Sequence, residues 1–597
     1  MMLSPPGYSG HVLISSALLA IASLAGFANC APATSSTSTS SCKCFPGDAC
    51  WPSSSDWAAF NKTVDGRLIA TVPLGSPCHG ASYNETECQF LQDNWLFSPI
   101  HFPRCTYHLP STSSDKESVS YNSSSSVMAP LFANASCDPF QPADTPCTLG
   151  NYVRYAVNVS TAAHVTATLK FAAQRNIRFV IRNTGHDYNG RSTGAGALSV
   201  WTHYLKETEV LDWSDKYYTG KALKIGAGIQ GFEALEAAHA AGLIVVTGEC
   251  PSVGIAGGYV QGGGHSALST IYGLAADNAL SYDVVTPNGT LVTATRTQYN
   301  DLYWALSGGG GGNYGVVVSM VFQAHPDNMV SGSKFAVATT SSETLYAVID
   351  AFHAALPAIV DSGVMIIYFF GPGFFQVPAM TAYGKTQDEV EAILKPFVDA
   401  LAALNIDLAP TYTQFSSYFD HFQNYWGPLP AGNIQVGTDL FGGRLIPRSV
   451  LPNFSPTAQK LVELGVTFIG VGLNVSHFGG NNANAVLPQW RSSIVEVSLT
   501  LPYSFQVPFQ DMIATQDTIT NVVQPVIEAA TPGAGAYMNE ADFQQPDFQE
   551  TFFGANYPQL LKIKQKYDPT GLLYARAAVG SEAWTVAENG RMCRTQS

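Results

Sequence analysis

Three segments of the chain combine residue types that could hold and modify a flat, phosphate-bearing ligand. Arg182-Asn183-Thr184-Gly185-His186 follows the apolar run Phe179–Ile181 and leads into Asp187-Tyr188-Asn189-Gly190. A strand that empties into a short turn containing glycine aims successive backbone N–H groups at one point, a nest suited to a pyrophosphate. The alternative is a surface turn with a solvated histidine. The second segment, Thr247 to His265, carries Gly254, Gly257, Gly258, Gly262, Gly263 and Gly264. Glycines that dense do not make a good helix or strand, so the backbone there is either disordered or pressed against something flat, and the flanking strands favour the latter. Within it, Cys250 stands far from every other cysteine, a poor candidate for the amino-terminal bridges, with an inert buried thiol or a bridge to Cys593 as its plain readings. The third segment, Trp304 to Gly315, is again rich in glycine and runs into the apolar Val316–Val318. A fourth match, Gly226-Ala-Gly228-Ile-Gln-Gly231 with Glu249 further on, fits a dinucleotide fingerprint, but Cys250-Pro251 replaces the expected continuation, so the signal is weak.

The elements that must position these residues are short and alternate between helix and strand from about 147 to 330. Ser160 reads as an N-cap for a helix through Ala173 with Val165, Leu169 and Ala172 on one face. Strands are expected at Ile177–Ile181, Leu223–Ile225 and Leu243–Thr247, a helix at Phe232–Ala241, and a hairpin over Val284–Ala294 turning at Asn288-Gly289. From 331 to 505 longer helical patterns such as Glu389–Leu404 alternate with strands at Thr467–Val475 and Ile494–Leu501. A tail over 506–597 holds a helix at Tyr557–Tyr567 stopped by Asp568-Pro569. The pattern is α+β.

The chain has 597 residues, too many for one hydrophobic core. Charged residues are 12% and hydrophobic residues 46%, a globular composition, and the net charge of -15 comes without any basic run, which excludes nucleic acid as an expected partner. Val12 to Ala28 is one apolar run preceded by no Lys or Arg, read as a secretory signal over 1–28, with an uncleaved anchor or a buried helix as the alternatives. No later segment reads as long and apolar enough to span a bilayer, so stable membrane insertion is not expected. Residues 29–146 form an extension rich in Cys and Ser. Of the 11 cysteines, only Cys250 and Cys593 lie beyond it. That cluster points to disulfides and an oxidising compartment. A zinc site at Cys42, Cys44 and Cys50 lacks a second ligand pair, and no metal is expected. Sequons at Asn61, Asn84, Asn122, Asn134, Asn158, Asn288, Asn453 and Asn474 favour a glycoprotein.

In this order and spacing, the segments 182–194, 247–278 and 304–318 resemble the berberine bridge enzyme-like flavoprotein oxidases of the vanillyl-alcohol oxidase/p-cresol methylhydroxylase (PCMH) superfamily. Cys42-Lys-Cys44 through Cys50-Trp51-Pro52, with the closing Gly590-Arg-Met-Cys593-Arg594, is similar to the secreted fungal isoamyl alcohol oxidase-like branch. The resemblance implies a two-domain PCMH-type fold, with FAD bound by residues 147–330 and the tail, and a substrate domain over 331–505. It implies covalent attachment of FAD through His186 and a second bond at Cys250. Arg182, Asn183, Thr184, Gly185, Val253, Gly254, Gly257, Gly258, Gly262, Gly263 and His265 fall in its cofactor-binding motifs. Asn539, in Tyr537-Met-Asn539, matches a residue that hydrogen-bonds the flavin. Val253 stands where a small residue gives dioxygen access in oxidases.

The implied reaction is hydride transfer from an alcohol or a secondary-metabolite intermediate, with dioxygen reduced to hydrogen peroxide. The base is expected at Glu496 or Tyr537. Glu496 belongs to the polar side of Ile494–Thr500, a side either solvated or roofing the ligand. Two rival readings are a carbohydrate oxidase, with Tyr418, Phe419, Tyr425 and Trp426 stacking a sugar, and a catalytically silent secreted glycoprotein.

Overall fold

The computed structural model describes residues 42–101, 123–480 and 483–595. The expected signal segment, Cys30, Cys105 and the sequon at Asn122 lie outside the described residues.

The first sheet has four strands in the order Leu68–Ala70, Tyr155–Asn158, Leu198–Trp201, Phe179–Arg182. Its last three strands are parallel, and Leu68–Ala70 closes the edge antiparallel. The crossover helix Ala162–Gln174 buries Val165, Leu169 and Ala172, the face expected from their spacing, and its N-cap is Thr161 rather than Ser160. Phe179–Arg182 ends at the Asn183–His186 turn, where Gly185 has φ +90°. That positive φ lets the chain fold back at once, which a residue with a Cβ would resist.

The second sheet is antiparallel, in the order Thr208–Ser214, Thr219–Gly226, Val316–Gln323, Ala279–Val285, Leu291–Thr295. Its topology removes the dinucleotide reading of Gly226–Gly231, because Thr219–Gly226 has antiparallel neighbours on both sides and is not part of a parallel βαβ unit. Gly226 and Gly228 are small for a different reason. A Cβ there would come within 2.3 Å of the Leu205 carbonyl oxygen and 2.2 Å of that of His203. The expected hairpin forms, but Val285 pairs with Leu291, which makes the loop longer than two residues, and of its central pair only Gly289 takes a positive φ.

The third sheet is antiparallel and seven-stranded: Thr411–Phe415, Val330–Ala338, Phe374–Tyr383, Met365–Gly371, Thr467–Gly472, Ser493–Pro502, Asp439–Pro447. Alternation assigns its two faces. Ile366, Tyr368, Phe370, Phe468, Val495 and Val497 enter an apolar core with the helices Ser342–Asp361, Gln387–Ala403 and Ser455–Glu463. Ile367, Phe369, Ile469, Val471 and Ser498 point the other way and roof a cavity. Ser342–Asp361 is long and apolar enough to cross a membrane, contrary to the sequence expectation, but it buries Leu345, Ile349, Phe352, Leu356 and Val360 in this core.

Among the described residues four disulfides join Cys42–Cys593, Cys44–Cys50, Cys78–Cys88 and Cys137–Cys147. They rule out zinc at Cys42, Cys44 and Cys50 and the bridge from Cys250 to Cys593. Cys250 is the free cysteine among the described residues. At Asn474 the side chain is buried and donates to Asp361, so this sequon is not an open acceptor.

The tail helix Tyr557–Tyr567 is fastened by a buried ion pair. Lys564 Nζ donates to Asp568 Oδ2 at 2.7 Å and to the carbonyls of Asn313 and Leu573, while Asp568 also accepts from the Leu572 and Leu573 amides. Breaking one side of such a pair strands a buried charge. Asp568→Ala is expected to lose about 3–5 kcal/mol of stability in urea unfolding followed by tryptophan fluorescence.

Candidate active site

A cavity of about 610 Å³ lies under the seven-stranded sheet, walled by the turn after Phe179–Arg182, the loop Gly248–His265, Gly311–Gly312, and the tail segment Tyr537–Glu540. Asn183, Thr184, Gly185, His186, Cys250, Val253, Gly254, Gly257, Gly258, His265, Tyr537 and Asn539 all line it. Four expected site residues do not. Arg182 is fully buried behind the turn, where its guanidinium donates to the carbonyls of Ser126, His101 and Thr184; it braces the turn from behind. Gly262 and Gly263 lie behind the lining. Glu496 is also outside the lining, although its strand neighbour Ser498 reaches it.

The glycine wall has a specific cause. A Cβ on Gly254 would stand 2.1 Å from Asn183 Oδ1, and one on Gly262 would stand 2.4 Å from Asn539 Nδ2. Asn183 Nδ2 donates to the Ala227 carbonyl, and Asn539 Nδ2 donates to the Gly258 carbonyl at 2.8 Å and to the Tyr537 hydroxyl at 2.9 Å. The missing side chains therefore make room for two asparagines, one tying the turn to the segment after Thr219–Gly226 and the other tying the tail to the glycine loop. Only part of the glycine cluster faces the cavity, where Gly257, Gly258, Gly311 and Gly312 leave bare backbone for a flat ligand.

At one end of the cavity His186 Nε2 lies 2.8 Å from Ser252 Oγ. Cys250 Sγ lies 3.5 Å from the same oxygen. Burial, helped by His101 and Arg182, lowers the His186 pKa to about 3, so the ring is neutral. Burial raises the Cys250 thiol, with hydrogen bonds from Ser252 opposing.

A second cluster has a different character. His265 Nε2 donates to Glu540 Oε1 at 3.0 Å, and its Nδ1 lies 3.4 Å from Glu249 Oε2. Burial opposes a charge on His265, but Glu540 and Glu249 outweigh it and hold the imidazolium well above the usual histidine range. Carboxyl oxygens of Glu496 and Glu540 and a His265 ring nitrogen lie within 4.8 Å of one another. Both Glu496 oxygens lack a hydrogen-bond partner among the described residues. Burial first, then Glu540 and Glu249, raise its pKa well above the carboxylate range against the opposing pull of His265. The alternation that put Glu496 on a polar side is correct, but that side is interior, and the strand is buried over Ser493–Thr500. Tyr537 is buried, packs edge-on against His265 and Trp490, and is held as the neutral phenol by burial and by Glu540.

Sequence reasoning missed Glu249 and Glu540 as members of this cluster and Ser252 as the link between His186 and Cys250. Glu540 directly follows a flagged residue, but nothing local shows that it meets His265. The aromatic set also divides. Tyr425 and Trp426 line the cavity, whereas Tyr418 is buried apart from it and Phe419 stacks on His239.

A flavin fits this donor set: bare backbone for its face, Asn539 and Thr184 for polar edges, and His186 and Cys250 at one end. Gly262→Ala is expected to be less stable by about 1–3 kcal/mol, because the new methyl drives Asn539 off the Gly258 carbonyl, and to purify with less flavin, read by visible absorbance. The folded protein favours neutral Glu496, so that preference is fully present below 4.5, the unfolded value, and is lost as pH rises toward the folded value. Melting temperatures taken from acid to neutral pH should therefore shift in favour of Glu496→Gln over the natural protein.

The chain matches the family model for the FAD binding domain over residues 153–295 and the model described as berberine and berberine like over 536–580. The FAD-linked oxidoreductase ZEB1 of Gibberella zeae is 51% identical over 556 residues, covering 93% of this chain and 95% of the relative. The FAD-linked oxidoreductase patO of Aspergillus clavatus is 44% identical over 562 residues, covering 93% and 95%. The crystal structure of the VAO-type flavoprotein MtVAO615 from Myceliophthora thermophila C1 superposes with a TM-score of 0.86 at 40% identity, over 93% of this chain and 100% of that one. With this two-domain FAD-binding fold, the chain belongs to the VAO-type, berberine bridge enzyme-like family of FAD-linked oxidoreductases.

Proposed function

We propose that this oxidoreductase oxidises an alcohol carbon of a small secondary-metabolite intermediate to a carbonyl, that dioxygen is reduced to hydrogen peroxide, and that FAD is joined covalently to His186 and Cys250. The observation that carries the reading is that the attachment pair and the Glu540–His265–Tyr537 cluster line one cavity. FAD held by His186, Cys250, Asn539 and the glycine backbone would supply the two-electron acceptor for the substrate hydride and the route to dioxygen.

The chain's residues supply binding and proton handling. The roof of Ile367, Phe369, Ile469 and Val471 is apolar and excludes water from the substrate. Glu540, braced by His265, faces the cavity and accepts the substrate hydroxyl proton. Neutral Tyr537 holds the substrate oxygen by hydrogen bonding, and Asn539 orients its hydroxyl. Glu496 stands behind this pair as a neutral acid, a role different from the cavity-facing base expected from sequence. Val253 lines the cavity where dioxygen access is needed. A carbohydrate oxidase is less well supported, since only Tyr425 and Trp426 of the aromatic set line the cavity.

We also read the protein as secreted, in keeping with four disulfides and the apolar amino-terminal run. Peroxide release should follow small alcohols in preference to oligosaccharides, and turnover of oligosaccharides alone would overturn the substrate class. Glu540→Gln is expected to lower kcat/KM by about 10²–10⁴-fold, and Tyr537→Phe by a smaller factor, in that peroxide assay.

A further inference from the structure

Ser252 is completely buried, and three separate groups converge on its hydroxyl. His186 Nε2 lies 2.8 Å away, Cys250 Sγ 3.5 Å and Ser98 Oγ 2.7 Å. Its backbone is fixed as well, since Gln230 Nε2 donates to the Ser252 carbonyl at 2.6 Å. Ser98 comes from a different part of the chain, the buried turn Ser98–His101 that follows the helix Glu85–Asn94 and the Cys78–Cys88 bridge. The same turn supplies the His101 carbonyl to Arg182.

A serine hydroxyl can donate one hydrogen bond and accept two. Of the assignments that satisfy all three neighbours, one prepares both His186 and Cys250 to bond carbon. The Nε2–H of His186 and the hydroxyl of Ser98 donate to Ser252 Oγ, and the Ser252 hydroxyl donates to Cys250 Sγ. In that arrangement the imidazole is the tautomer with its lone pair on Nδ1, the form able to bond carbon. The sulfur receives a donor that favours its thiolate, the reactive form of a cysteine. Burial keeps the His186 ring neutral, and at Cys250 it raises the thiol while the hydrogen bond from Ser252 opposes that rise.

We propose that Ser252 is the positioning residue for attachment of FAD at both His186 and Cys250, and that Ser98, from the disulfide-stapled extension, fixes its hydroxyl; the inference rests on the covalent reading above. At His186 the N–H of the imidazole and one C–H of the flavin 8α methyl are replaced by an N–C bond. At Cys250 the S–H and a ring C–H are replaced by an S–C bond. Each exchange releases two electrons and two protons, which pass to dioxygen to give hydrogen peroxide.

The test uses the full chain, with the natural protein, Ser252→Ala, Ser252→Thr and Ser98→Ala compared for flavin retained after acid denaturation, for the masses of the peptides holding His186 and Cys250, and for melting temperature. Early in the reaction Ser252→Ala should carry about fivefold less linked flavin at both sites, the loss expected for one orienting hydrogen bond, with a melting temperature lowered only slightly because Ser98 and His186 each lose a partner. Ser252→Thr should restore attachment, and Ser98→Ala should fall between. Ser252→Ala linking FAD as fast as the natural protein overturns the role of Ser252 alone. A fall in melting temperature that tracks the loss of attachment, without rescue by Ser252→Thr, assigns Ser252 to packing and also overturns it. Unmodified His186 and Cys250 peptides in the natural protein overturn the covalent reading and this inference together. If Ser252→Ala does not fold, Ser98→Ala decides: attachment at the natural rate overturns the inference, and slowed attachment in a normally melting protein upholds it.

Discussion

The cavity depends on the close approach of two asparagine side chains to one glycine loop. Asn183 belongs to the turn after a parallel strand and Asn539 to the tail, yet both occupy space that a Cβ on Gly254 or Gly262 would fill. Their amides donate to the carbonyls of Ala227 and Gly258, so the turn is held to the segment after Thr219–Gly226 and the tail to the glycine loop. Without those glycines the turn bearing His186 and the tail bearing Tyr537 and Glu540 would be pushed outward. The roof could remain, but it would cover a differently shaped space.

Within that frame the electrostatics are graded from one end to the other. His186 is kept neutral by burial near Arg182 and His101, while His265 is kept charged by Glu540 and Glu249. The same residue type thus takes opposite states because desolvation, His101 and Arg182 all disfavour charge on His186, whereas two carboxylates outweigh desolvation at His265. Glu496 completes the second cluster as a neutral acid, since another negative charge beside Glu540 and Glu249 would be uncompensated. A chain with only 12% charged residues concentrates several of them here.

The amino-terminal extension contributes more than staples. Cys42–Cys593 ties the start of the described chain to its end, and Cys78–Cys88 braces the region that leads to the buried turn Ser98–His101. From this turn Ser98 reaches Ser252, and His101 reaches Arg182. An arginine placed by its motif beside a cofactor instead holds the extension against the turn, so its charge is satisfied by carbonyl oxygens rather than by a ligand.

What the sequence by itself determined is local. The apolar face of Ala162–Gln174, the helix Tyr557–Tyr567 and the alternation over Ile494–Thr500 follow from periodicities of 3.6 and 2. The turn at 183–186 and the loop of dense glycine were legible as local pattern, while the roles expected for His186 and Cys250 came from the family resemblance. Only the tertiary structure decided which side of Ser493–Pro502 meets the interior, that Glu540 pairs with His265, that Arg182 turns away, and that one buried serine joins His186 to Cys250. These outcomes depend on contacts such as Asn539 to Gly258, 281 residues apart, and His265 to Glu540, 275 apart. Local pattern orients a side chain relative to its own strand or helix, but the partner it meets there is set by how distant segments pack.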